Sequence, residues 1–575
     1  MNGPNGPTNL GEPAGAAAAL ADRSSSGGGS PAADAAAGAR EAIASGRTAL
    51  GVELGSTRIK ACLVDAADPS HVLATGAAAW ESELVDDRWT YPLDAVWSGV
   101  RTAYARLVAD ARHRHGTDVE TIGALGVSGM MHGYLAFDEH DELLVPFRTW
   151  RNTSAAAAAA RLSEAFGRNI PARWSIAHLH QAVLDGEPHV PRVRFLTTLA
   201  GYVHWRLTGR RVLGVGDASG MFPVDPAAHD YDARLLAHYD ELVSGVAPGL
   251  RLAGLLPRVL VAGEPAGELT AEGAALLDPS GALRPGAPLC PPEGDAGTGM
   301  VATNAVAPRT GNVSAGTSIF AMVVLERPLE HAHPEIDLVT TPAGDPVAMV
   351  HCNNGAAELA AWAGVFGRFA AVAGVGHDGA PLDEDAVFAT LFAEALAGEA
   401  DAGGVVAYNM LAGEPIAGLA EGRPLVLRTP GSRLTLGNLM RAQLYGAFGA
   451  LALGMRVLAA EGATIDRMLA HGGVFRTAGV AQRLLAGALD APVMVGETAA
   501  EGGAWGIAVL AAHLIERRMA GPAAPRLDRY LEERVFAGAS FRASLPDPAD
   551  VAGFAAYLDR YRAGLAAEVA AAAVV

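Results

Sequence analysis

A turn of glycine and hydroxyl residues between two apolar runs occurs twice in this chain, and the repetition constrains its fold more than any other feature. Residues 49–65, ALGVELGSTRIKACLVD, set Gly55, Ser56 and Thr57 between Leu50, Val52 and Leu54 on one side and Ile59, Cys62 and Val64 on the other. Flanks of strand-forming residues around such a turn predict a hairpin. Residues 311–325, GNVSAGTSIFAMVVL, repeat the device around Gly316, Thr317 and Ser318. Either turn taken singly also reads as an ordinary hairpin. Glycine permits close backbone approach to an anion, and hydroxyls with successive N–H groups donate to it, so each turn suits a phosphate. One turn in each half predicts two like domains facing one another across a nucleotide. Glu53, just before the first turn, is placed to hold hydrated magnesium beside those phosphates.

A chain of 575 residues, half of them hydrophobic, can bury two sizeable cores. The formal net charge of -19 repels nucleic acid and anionic membranes, and leaves room for a small anionic ligand only where donors and a metal neutralise it. Cys62, Cys290 and Cys352 are far apart without metal-site spacing, which predicts reduced, packed thiols in a cytoplasmic protein. No window of about eighteen uninterrupted apolar residues predicts a membrane span. Residues 1–47 are rich in Gly, Ala, Ser and Pro, including SSSGGGS at 24–30, and are expected to be a disordered extension without a secretory signal.

Further candidates follow in chain order. Residues 71–80 predict a strand, 94–114 a helix, and 122–127 a buried strand that ends in SGMMHG at 128–133. Ligands gather at strand ends in open α/β sheets, so His132 is a candidate contact; a capped turn with a buried histidine is the alternative. Residues 143–150 give another short apolar run, closed by Trp150, Arg151 and Asn152. A ring followed by a guanidinium and an amide suits a polyol edge, or else caps the Ala-rich helix expected over 154–166. Residues 195–207 read as one helix. Asp217 lies among small residues in VLGVGDASGMFPVD at 212–225, open to a substrate hydroxyl as a base must be, or serving as a helix N-cap.

Residues 290–295, CPPEGD, suggest a domain boundary, dividing the chain into 48–292 and 293–575. Asp295 there reaches the metal and phosphate region if the halves close, or is a solvated loop carboxylate. In the second half, 439–460 predict a helix and 468–470 a strand. His471, Gly472 and Gly473 then precede a helix over 477–489. A glycine pair between strand and helix can admit a flat adenine against bare backbone. A further strand at 493–497 leads to EGGAWG at 501–506, opening a small-residue helix.

The order of these motifs from 49 to about 520 resembles the FGGY family of carbohydrate kinases. ELGST resembles its first phosphate motif, SGMMHG its sugar-contacting segment, WRNT its W-N-D-G segment and GDASGM the segment of the catalytic aspartate. EGDAGTG, SAGTSIF and HGGVFRTAGVAQRLLAGAL resemble the G-D-Q-A region, the second phosphate motif and the adenosine motif. The resemblance implies an α/β fold of two actin/hexokinase-like (ribonuclease H-like) domains across a nucleotide cleft. The likeness is greatest to xylulokinase-like members, which use ATP and Mg2+.

It implies Asp217 as catalytic base, Met131, His132, Trp150, Arg151 and Asn152 at the sugar, and Gly55, Ser56, Thr57, Gly316, Thr317 and Ser318 at phosphate. Gly472 and Gly473 then border adenine, with Glu53 and Asp295 at the metal. Three departures stand out: Glu53 in place of aspartate, Met130 where glutamine is common, and Arg151-Asn152 where asparagine-aspartate is common. The expected partner is a small-molecule sugar, with no nucleic acid or membrane and at most a second copy in a homodimer. A rival keeps the fold as an ATP-binding switch without sugar chemistry.

Overall fold

A computed structural model describes residues 31–377, 380–496 and 502–574. Its two large sheets repeat one plan. In the first, β1 (Thr48–Leu54) and β2 (Arg58–Asp65) form the predicted hairpin, joined by β3 (Val72–Ala79), β4 (Ala124–Gly129) and β5 (Glu293–Gly294) in the order β5-β4-β1-β2-β3. In the second, β6 (Thr310–Ala315) and β7 (Ile319–Val324) form the other hairpin. They are joined by β8 (Ile336–Thr340), β9 (Pro346–Cys352), β10 (Arg467–His471), β11 (Val493–Gly496) and β12 (Phe541–Ser544), in the order β8-β9-β7-β6-β10-β11-β12.

The strand senses match as well. β1 is antiparallel to β2 and parallel to β4, which is parallel to β5. β6 is likewise antiparallel to β7 and parallel to β10, which is parallel to β11. Each hairpin turn therefore opens on the same edge as the ends of the parallel strands beside it, where ligands of α/β sheets collect.

The first sheet shows why its strands read as near-continuous apolar runs. Ala49, Cys62 and Val64 join one core with Ile507 and Ala508. Leu50, Val52, Leu54, Ile59 and Leu63 join another with Val96 and Val100 of the helix Leu93–His115. The first core's covering helix, Gly502–Ala520, comes from late in the chain, and its Trp505 indole donates to the Pro69 carbonyl at 2.8 Å. That core continues through Met300 to Met322 and Met349 of the second sheet, so the two halves are packed together. The helix Leu436–Ala460 alone among the described residues is long and apolar enough to cross a membrane, and 78% of its apolar window is buried in the fold.

Several expectations need correction. Residues 31–45 of the supposed disordered extension form the helix Pro31–Ser45, whose Ala39, Ala42 and Ile43 are buried in the core; 1–30, including the serine-glycine run, lie outside the described residues. The expected boundary at 292/293 cuts the first sheet, because β5 pairs with the end of β4. Residues 195–207 are not one helix: Phe195–Thr197 is a strand, Thr198 caps, and Leu199–Thr208 is the helix. The run at 143–150 makes only isolated bridges, at Leu143 and Arg148. Glu497 and Glu501 lie outside the described residues. Cys62, Cys290 and Cys352 are all buried.

Candidate active site

Glu53, the penultimate residue of β1, is half-buried and in register with Lys60 of β2, whose ammonium lies 4.0 Å from its carboxylate. Backbone N–H groups of Gly503 and Ala504, at the start of the helix Gly502–Ala520, donate to it. Burial nevertheless outweighs these donors and Lys60, and with the charge of Asp295 raises the Glu53 acid to about pKa 7. Asp295 opens the helix Asp295–Ala302 directly after β5 and accepts the Met131 N–H at 3.1 Å. Burial raises its pKa too, against that backbone bond. The first turn is braced from behind. Trp80 donates to the Gly55 carbonyl at 2.6 Å and Tyr91 to the Ser56 carbonyl at 2.7 Å, the two rings being stacked 4.2 Å apart.

Asp217 is fully buried. It sits inside the short helix Val215–Ala218, whose cap residue is Gly214, so Asp217 is not the N-cap. Thr198 donates its hydroxyl to Asp217 Oδ2 at 2.6 Å, while Oδ1 is buried without a hydrogen-bond partner. Burial, less the Thr198 bond and reinforced by Asp295, lifts the Asp217 acid to about pKa 7. An oxygen so prepared is a proton acceptor near neutrality.

Residues 130–133 lie beside it. Met130 N–H donates to the Leu54 carbonyl at 2.9 Å, which ties 130–133 to the end of β1. His132 adopts φ +73°, an uncommon left-handed conformation for a non-glycine residue. Its ring is nearly parallel to that of Trp174 at 6.3 Å, and Nδ1 lies 3.2 Å from the Gly220 carbonyl. Burial, with Arg173 and His351 nearby, holds His132 neutral, well below the usual histidine range. Arg173 is ion-paired with Asp337 of the second sheet. Burial and Arg173 also lower His351, in β9, to about 4, so this part of the first half faces the second sheet.

Trp150 is 38% exposed, and the Arg151 guanidinium lies 3.8 Å from the Trp89 ring centroid and 2.9 Å from Ser82 Oγ. Asn152 is buried. Its Oδ1 accepts the Trp89 N–H at 2.8 Å and its Nδ2 donates to the Trp89 carbonyl at 2.8 Å and the Thr149 carbonyl at 3.1 Å. Those bonds occupy its donors and an acceptor position, so Asn152 braces the Trp89 backbone.

On the second sheet, Gly316 and Thr317 are exposed and Ser318 half-buried, and the Gly316 carbonyl accepts from Ala356 at 2.8 Å. Register pairs Ser314 with His471, bringing Gly472 and Gly473 beside that turn. Gly472 has φ +113°, and a side chain there would overlap the Ala315 carbonyl. This glycine is thus required both by its backbone and by the strand it crosses.

Comparison with known proteins decides the relationship. Residues 48–281 match the N-terminal domain of the FGGY family of carbohydrate kinases, and 311–515 match its C-terminal domain. The chain belongs to this family. As an FGGY protein it is 27% identical, over 234 residues, to a xylulose kinase from Streptomyces rubiginosus; the match covers 39% of this chain and 44% of that protein, less than half of the relative's length. The crystal structure of a xyloylose kinase from Brucella ovis superposes with a TM-score of 0.71 at 21% identity, covering 90% of this chain and 99% of that one. A gluconate kinase from Lactobacillus acidophilus gives 0.70 at 16%, covering 90% and 98%. The repeated sheets are thus the two actin/hexokinase-like domains of FGGY kinases.

Four residues at this FGGY site escaped sequence reasoning. Thr198 was hidden in an apolar stretch read as one helix, although a threonine before such a run is a cap signal. Trp89 and Arg173 had no local signature, and Glu293 lay in the EGDAGTG run, where only Asp295 was singled out; each acts on a segment remote in sequence, Glu293 by accepting the Asp217 N–H at 3.0 Å.

Proposed function

We propose that this chain transfers the γ-phosphoryl group of MgATP to a hydroxyl of a keto sugar, such as a ketopentose like xylulose, or of a related polyol. The observation that carries this reading is Asp217 Oδ1: a buried, unpartnered carboxylate oxygen whose acid form has a pKa of about 7. In the transfer, Oδ1 takes the proton of the acceptor hydroxyl, that oxygen bonds to the γ-phosphorus, and the bond from phosphorus to ADP breaks. Thr198 fixes the carboxylate's orientation through Oδ2. Gly55, Ser56 and Thr57 on one wall and Gly316, Thr317 and Ser318 on the other hold phosphate, with Gly472 and Gly473 beside adenine. Met131, His132, Trp150 and Arg151 border the sugar, the neutral His132 offering hydrogen bonds without charge.

The carboxylates fit magnesium. This ion takes one or two carboxylates plus phosphate and water, and Glu53 and Asp295 are two carboxyls close enough for the charge of one to raise the pKa of the other. Glu53 and Asp295 would hold it, and its charge would offset that of the phosphates. A protein that only bound nucleotide as a switch would have no use for a buried base aligned by Thr198.

A panel of ketopentoses, other ketoses, sugar acids and polyols, assayed for ADP formation, tests the reading. Strong stimulation by a ketose or polyol is expected; uniformly low ADP formation across the panel supports the switch instead.

A further inference from the structure

We propose that Glu293 is a positioning residue for this reaction, holding the short helix that carries Asp217 by its backbone. The inference rests on Asp217 being the base. Glu293, in β5, is 1% exposed, and its Oε2 accepts the Asp217 N–H at 3.0 Å while Oε1 receives the Gly216 N–H at 3.4 Å. A buried carboxyl group is costly unless its hydrogen bonds are made; backbone N–H groups meet this one, although burial and the nearby Asp217 still push its pKa well above the usual carboxyl range.

The seat is shaped for it. A side chain at Gly214 or Gly216 would overlap the carboxylate, and a Cβ on Gly297 would lie 3.5 Å from Oε2. Three consecutive residues then gather the site. Glu293 holds the helix of the base, and Asp295 holds Met131 N–H at 3.1 Å. Gly294 leaves open the space beside the reacting oxygen, since a Cβ there would stand 2.9 Å from Met131 Cγ and 3.4 Å from Asp217 Oδ1. The second sheet meets the same helix from β8: Thr340 Oγ1 donates to the Val215 carbonyl at 3.0 Å, and Thr340 N–H to Ser219 Oγ at 3.1 Å. Glu293 touches no substrate in this scheme; it sets where Asp217 stands.

The test compares Glu293→Gln and Glu293→Ala with the native chain and with Asp217→Asn, measuring kcat, sugar KM and binding of a fluorescent ATP analogue. Glutamine keeps one acceptor for the two N–H groups, so kcat should fall about tenfold; alanine keeps none and should lose about a hundredfold, as small displacements of a reacting group do. Sugar KM and nucleotide affinity should stay within about threefold, because the loss lies in the transition state. A native kcat in Glu293→Gln, or a loss confined to KM, overturns the proposal, and Glu293→Gln decides alone if the alanine variant does not fold. Normal turnover by Asp217→Asn would instead remove the base assignment itself, a separate failure.

Discussion

Thr198 donates its hydroxyl to Oδ2 of Asp217 at 2.6 Å and so leaves Oδ1 as the free oxygen of a fully buried carboxylate. The same threonine oxygen accepts the Gly201 N–H at 3.2 Å, capping the helix Leu199–Thr208. One side chain thus fixes both a helix start and the orientation of the Asp217 carboxylate.

Replacing Thr198 with valine removes both bonds. The cap costs about 1 kcal/mol of stability. Losing the donor raises the pKa of Asp217 further, so the acid limb of kcat against pH should move upward, with kcat about tenfold lower near neutrality. Thr198→Ser should restore both. An unshifted limb in the valine variant contradicts the role.

The native pH profile follows from Asp217. Its acid form has a pKa raised to about 7, chiefly by burial. A base must be ionised, so kcat/KM should be on its plateau above that value and fall roughly tenfold per pH unit below it. A profile flat down to about pH 5, measured by coupled ADP release, would place the base elsewhere.

At Glu53, burial raises the pKa of the carboxyl group to about 7, so a cation beside it would favour its ionised form. Glu53→Gln retains an acceptor for Gly503 and Ala504 N–H but not the charge. The magnesium concentration for half-maximal rate should rise about tenfold or more, with melting temperature little changed. Unchanged magnesium dependence removes Glu53 from the metal.

Gly472→Ala tests the second wall. The methyl group meets the Ala315 carbonyl, directly before the phosphate turn, in a backbone conformation alanine avoids. A strain of about 1–3 kcal/mol is relieved only by shifting residues 472–473 away from the 315–318 turn, so ATP affinity by calorimetry should drop about tenfold or more. Native ATP affinity in this variant would separate Gly472 from the nucleotide.

What the sequence made legible was local. Both hairpins, with Gly55 and Gly316 in their turns, were readable because strand periodicity and turn chemistry lie within about fifteen residues. Two like domains were expected from the same repetition, while the strand orders emerged only from the fold. The helix Pro31–Ser45 was not legible, because it buries the small side chains Ala39 and Ala42, with Ile43 as its one branched anchor, in a segment whose composition reads as disorder. β5 was missed because two residues carry no periodicity; only their pairing with Ser128 and Gly129 makes them a strand. Asn152 shows the limit for sites: the sequence displays an amide, and only the fold reveals that the Trp89 backbone claims it.

The most direct measurement is ADP formation by Asp217→Asn with the best acceptor from the panel, alongside nucleotide binding. Asparagine keeps the shape and the Thr198 contact but cannot take a proton, so acceptor-dependent ADP formation should fall about a thousandfold while ATP binding stays native. Acceptor-dependent turnover within about tenfold of the native chain, with ATP binding intact, would contradict the account, since a general base contributes far more than that.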